Sequence, residues 1–231
     1  MKEAKRQFVV FGNFNTISLN NINLLDDIKN QFGLQINALP DIISPNQMGI
    51  QPVFFQSVPS VSIRPVLQSE DKKTSIFFGS SRLHVEQLEQ DVETYDEFFS
   101  IALNALNAIY NTYQIKINRI AINGQLLCFD KQDMEKAYSK YFKKSDLYGE
   151  SSNEWQFRIN TNKKDEELDC EINQIISFSR NKLFDKVGVL TDALQSAYDY
   201  NTKYGLNKLF TIKDIEIFNK KAYEFRKSFI K

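Results

Sequence analysis

Chemistry in this chain has to be assembled from few parts, because it holds one histidine, His84, and two cysteines, Cys128 and Cys170. A serine or cysteine nucleophile needs an imidazole base within hydrogen-bond reach. His84 lies between Arg82 and Glu86 and alternates with Leu83 and Val85. On a strand it therefore shares a face with the charges, which predicts a solvated surface imidazole in place of a base. The cysteines sit among apolar neighbours, Leu126, Leu127 and Phe129 around one and Leu168 and Ile172 around the other. They read as small buried thiols, and with a single histidine they do not complete a tetrahedral zinc site unless carboxylates join them.

The densest acidic group is Asp165, Glu166, Glu167, Asp169 and Glu171. Carboxylates suit a hard cation such as magnesium, so Asp169 and Glu171 are the metal-ligand candidates, with Lys163 or Lys182 as a companion in phosphodiester chemistry. The plainer expectation is a hairpin turn that shows its charges, Lys163 and Lys164 included, to water. Lys220, Lys221, Arg226 and Lys227 are the candidates for phosphate contact, as part of a basic C-terminal helix. They and the group Lys140, Lys143 and Lys144 are interleaved with aromatics at helical spacing, so solvated helix faces are expected. The eight glycines are isolated and none has the spacing of a phosphate-cradling loop. No catalytic residue and no cofactor is assigned.

The 231 residues carry 29 basic and 29 acidic side chains. No global field steers the protein to nucleic acid or an anionic surface, so a nucleic-acid partner is disfavoured. Hydrophobic residues make up 42% and charged ones 25%, a globular composition that predicts a folded chain. Nineteen Phe and ten Tyr against one Trp predict a core rich in phenyl rings. Met1 to Arg6 is charged and precedes only four apolar residues, and no later run approaches a membrane span. The expectation is a cytoplasmic protein without signal peptide or membrane partner.

The elements that must position these residues follow from periodicity. Phe8 to Phe11 reads as a strand ending at Gly12-Asn13. A helix capped at Asn20 or Asn21 carries Ile22, Leu25, Ile28 and Phe32 and stops at Gly33. All five prolines fall between Pro40 and Pro65, which predicts a loop with one or two edge strands. Thr74 to Phe78 and Arg82 to Leu88 form a strand pair. A long helix begins at Thr94, with Glu97 completing a capping box, and buries Phe98, Ile101, Ala102, Ala105, Leu106, Ile109 and Tyr113. Ile115 to Ile122 alternates as a strand up to the turn dipeptide Asn123-Gly124, after which Leu126 to Phe129 continues the sheet.

Asp130 starts a short helix with Met134, Tyr138 and Tyr141, and the polar stretch from Lys143 to Asn153 marks a boundary. Two antiparallel strands follow, Trp155 to Ile159 and Leu168 to Phe178, joined by a charged turn at 162–166. Val189 to Tyr204 fits a helical stripe and a strand face alike. Thr211 caps a last helix that buries Ile215, Phe218, Ala222, Phe225 and Phe229. The resulting expectation is an α+β fold of antiparallel sheets with helices packed on one face. It is organised as two related halves, 1–145 and 146–231, or as one continuous domain.

The order of these elements resembles a sporadically distributed family of uncharacterised bacterial proteins of about this length, often linked to mobile elements. The resemblance is carried by Ile76 to Phe78 and Leu83 to Val85, by Tyr95 with Phe98-Phe99, and by Ile117-Asn118-Arg119-Ile120. Near the end it is carried by Asp199-Tyr200-Asn201-Thr202 and by Thr211 to Ile215 with Phe218. It implies that 189–202 is a strand and that the last helix covers the sheet. It implies no catalytic residue. The function expected is a non-catalytic protein-binding, accessory or sensing component, of a plasmid- or phage-linked system, with a second copy or another polypeptide as partner. A metal-dependent enzyme acting on phosphodiesters and a nucleic-acid binder using the C-terminal helix are the alternatives.

Overall fold

The computed structural model describes residues 2–43, 60–91, 94–141, 155–184, 188–205 and 207–230. Among them the order is β1 (Lys2–Gly12), α1 (Ile22–Phe32), β2 (Gln35–Ile43), β3 (Ser60–Gln68), β4 (Thr74–Phe78), β5 (Arg82–Asp91), α2 (Tyr95–Tyr113), β6 (Ile117–Cys128), α3 (Lys131–Tyr141), β7 (Trp155–Asp165), β8 (Cys170–Phe184), β9 (Leu190–Thr202) and α4 (Ile212–Ile230). The fold is α+β. All nine strands join one antiparallel sheet in the order β2-β3-β4-β5-β1-β6-β9-β8-β7. The sheet is continuous because β6 pairs with β1 on one side and β9 on the other. The expected boundary at 145/146 lies outside the described residues.

Alternation decides what each strand buries. Phe8 and Val10 of β1, Leu83 and Val85 of β5, Ile120 and Ile122 of β6 and Tyr198 and Tyr200 of β9 share one apolar cluster. Leu25 and Ile28 of α1, Phe98, Ala102 and Leu106 of α2, and Ile215 and Phe218 of α4 complete it. Fully burying a phenyl or branched aliphatic side chain stabilises by about 1.5–3 kcal/mol, so this cluster is the main support of the sheet. A smaller cluster joins Met134 of α3 to Trp155 and Leu194.

Several local expectations change once packing is seen. β6 runs through Asn123-Gly124 without turning. A Cβ at Gly124 would lie 2.5 Å from the Tyr198 ring, so the glycine admits a crossing aromatic and does not make a bend. At α2, Thr94 makes no side-chain cap bond; its hydroxyl accepts from Arg6 Nη2 at 2.7 Å. The box forms instead at α4, where the Thr211 backbone N–H and hydroxyl both donate to Asp214 Oδ2 and the Asp214 N–H donates back to Thr211 Oγ1. Val189 to Tyr204 resolves as β9, with β6 and β8 as its neighbours.

The turn expected at 162–166 moves on, because β7 pairs with β8 as far as Asp165. Pro40 stands on the edge strand β2. Pro65 stands in the inner strand β3, just ahead of Val66, where pairing to β4 begins, so its missing N–H costs no bond on that side. The rest of the proline segment, 44–59, lies outside the described residues.

Candidate functional site

Residues in cross-strand register point to the same side of a sheet, so the face opposite the large cluster can be read row by row. One row runs Phe77, His84, Val9, Ala121, Asn201, Asn173. The next runs Ser75, Glu86, Gln7, Asn123, Asp199, Ile175, and a third runs Leu88, Lys5, Gln125, Ala197, Ser177, Arg158. Over β4, β5 and β1 the face is aromatic and charged. Over β6, β9 and β8 it is made mostly of amides and alanine with Ser177, and Asp199 and Ile175 stand among them.

The small side chains leave a hollow of about 350 Å³ lined by Lys5, Asn123, Gln125, Ser177, Asp199 and Arg158, among others. Lys5 is tied to Glu86 at 2.7 Å, and Gln7 Nε2 donates to the same carboxylate. Asp199 is half-buried, and its Oδ1 is shielded from solvent without a hydrogen-bond partner. Desolvation raises its pKa, against the pull of Asn201, Arg119 and Arg158. Asn201 Oδ1 accepts from Asn173 Nδ2 at 3.0 Å and from Arg119 Nη2 at 3.4 Å.

His84 lies on this face with Arg82 and Glu86, as alternation predicts, but it is not freely solvated. Its ring packs 5.1 Å from Phe77. Burial, reinforced by the neighbouring Arg82 charge, lowers its pKa to about 4. At neutral pH the imidazole is an uncharged packing group.

No family model and no curated protein matches the chain.

On the cluster side, sequence reading missed a buried polar centre. The strand β1 slips register against β6 between Glu3 and Lys5, and this bulge turns Glu3 inward although Lys5 faces the other way. Glu3 Oε1 accepts from the Tyr198 hydroxyl at 2.7 Å and from Arg226 Nε at 3.2 Å, and Oε2 accepts from Arg226 Nη2 at 2.7 Å. Arg6 stands 3.7 Å from the same carboxylate and also binds Gln87 and Thr94. Arg226 lies 4.8 Å over the Tyr95 ring and Arg6 5.2 Å over Phe98.

Burial lowers the Arg6 pKa with only partial relief from Glu3. Burial opposes the charge on Arg226 too, but there the Glu3 hydrogen bonds prevail and the pKa rises. One carboxylate thus holds two guanidiniums in the core. The available signal was parity, since Arg6 alternates with Phe8 and Val10.

The sequence candidates are dispersed. Arg226 is 2% exposed, which corrects its reading as part of a solvated basic face: Glu3, on another element, claims it. Lys221 is bound to Asp165 at 2.7 Å and Glu167 at 3.1 Å. Lys227 pairs with Glu224 at 3.0 Å, and Lys220 is exposed. Glu171 pairs with Lys203 at 2.7 Å, while Asp169 occupies a left-handed turn position with φ 42°. Among the described residues no three of His, Cys, Asp and Glu are grouped to hold a metal ion. Cys128 and Cys170 are free thiols, the first half-buried and the second buried. Burial pushes the Cys170 thiol up to about 11, leaving it protonated. No described helix is long and apolar enough to cross a membrane.

Proposed function

We propose that this protein is a non-catalytic binding component that engages another polypeptide, a second copy or a different chain, through the sheet face bearing Asn123, Gln125, Ser177 and Arg158. In this reading the four helices of the described residues lie on the opposite face and leave this one to the partner. β6 comes from the first expected half, 1–145, and β8 and β9 from the second, 146–231, so in this reading the face spans both.

The observation that carries the reading is the composition of the face over β6, β9 and β8. Amide and hydroxyl side chains surround a low floor of Ala121 and Ala197, and Asp199 Oδ1 is left without a partner. Amides donate and accept together, which matches a polypeptide, and a buried polar atom without a bond costs about 1–3 kcal/mol until a partner supplies one. A plasmid- or phage-linked system as its setting rests on the family resemblance alone.

Site-specific photo-crosslinking in cells tests this. Probes at Gln125 and Ser177 should each trap one discrete polypeptide, the same for both, while probes at Asn111 and Lys213 should not. Cross-links confined to the helix positions, or none at any position, would refute the assignment.

A further inference from the structure

At one end of the sheet, the finish of β1, the starts of β5 and β6 and the chain leaving β9 enclose a hollow of about 590 Å³. It is lined by Phe11, Ser81, Arg82, Asn118, Arg119 and Tyr204, with Gly12 and Gly205. We propose that this hollow binds a mononucleotide, its phosphate held between Arg82 and Arg119 and its base stacked on Tyr204.

The two arginines are the cross-strand partners of Phe11 on either side, Arg82 from β5 and Arg119 from β6. The Arg119 guanidinium lies 4.9 Å over the Phe11 ring, which fixes its plane. Among the described residues neither arginine is within ion-pair distance of a carboxylate, and the Arg82 side chain makes no hydrogen bond. Arg119 makes the single long bond to Asn201, and its Nε is buried without a partner. Two guanidiniums are thus register neighbours of one ring with nearly all of their ten N–H donors unused, which leaves them open to an oxyanion.

An oxyanion alone would fill a small share of this volume, which lies in the range of roughly 300–1,000 Å³ usual for small-molecule sites. The remaining surface is aromatic. Tyr204 is 64% exposed, although an aromatic of this size is usually at least half covered. An open ring beside uncommitted guanidiniums is the combination that stacks a base and holds its phosphate.

Isothermal titration of the whole chain with the four ribonucleoside 5′-monophosphates, their nucleosides and inorganic phosphate tests the assignment. At least one monophosphate should bind, with its nucleoside and inorganic phosphate each at least tenfold weaker. Arg119→Gln and Arg82→Gln should each weaken it about tenfold or more, and Tyr204→Ala should weaken the nucleotide without changing the response to phosphate. Arg82→Gln and Tyr204→Ala alter groups with no hydrogen bond in the fold, and unchanged melting temperatures confirm that these proteins are intact. The proposal fails if no monophosphate binds, if phosphate alone binds as well as the nucleotide, or if affinity is indifferent to both arginines.

Discussion

Glu3 is the residue on which the buried charges depend, because its one carboxylate answers both Arg6 and Arg226. Replacing it by glutamine leaves two like charges facing each other without water, a change of the kind that costs about 3–5 kcal/mol. Arg226→Met should cost less, since it removes one of the two cations and leaves Glu3 with Arg6. Urea unfolding of the two variants checks this order, and the reverse order would show that packing against Tyr95 outweighs charge balance. Lys220→Ala, on the exposed side of the same helix, should stay within about 0.5 kcal/mol of the parent.

His84 gives a pH dependence of definite sign. Its folded pKa is about 4 against an ordinary 6.5, so above pH 6.5 both states are neutral and the full stability is present. As pH falls below 6.5 the unfolded chain takes up the proton first, and stability declines until the folded state also titrates near pH 4. Comparison of His84→Gln with the parent by urea midpoint should show the parent losing more, on the order of 1–2 kcal/mol, between neutral pH and about pH 4.5. Parallel losses in both proteins would mean that the carboxylates alone cause the decline.

At the scale of elements, the strands and helices with unbroken periodicity were legible in the sequence, among them the cores of β1, β5 and β6, α2 and α4. What escaped depended on partners distant in the chain. Asn123-Gly124 has the composition of a hairpin turn, yet Tyr198 crosses it from β9, and no local pattern announces that ring. Gly124→Ala should therefore cost about 1–3 kcal/mol by overpacking, read from thermal melting, whereas glycine in a true turn would be set by its dihedral angles. Thr94 and Thr211 share a capping-box pattern, and Arg6 takes the hydroxyl of the first. Asp214→Ala should cost about 1 kcal/mol, against little for Glu97→Ala. The face that the proposals rest on was half legible: alternation separates Arg119 and Asn123 from Ile120 and Ile122, but sequence does not say that β9 and β1 flank them.

At the scale of the whole molecule, one sheet takes strands from both sides of residue 145, where the sequence left two halves and one continuous domain both open. β6, before that point, is paired from Ala121 to Cys128 with β9, after it, so neither part keeps its sheet intact without the other. Chemical unfolding followed by Trp155 fluorescence and by far-ultraviolet circular dichroism should give coincident transitions. Two separated midpoints would restore the division.

The strand order has a further consequence. β1 lies between β5 and β6, both of which come much later in the chain. A nascent chain leaving the ribosome therefore carries its most central strand longest without neighbours, Phe8, Val9 and Val10 included. High contact order of this kind slows folding and prolongs the interval in which a bare apolar strand can meet another chain, so production at lower temperature or with a holding chaperone should raise the soluble yield.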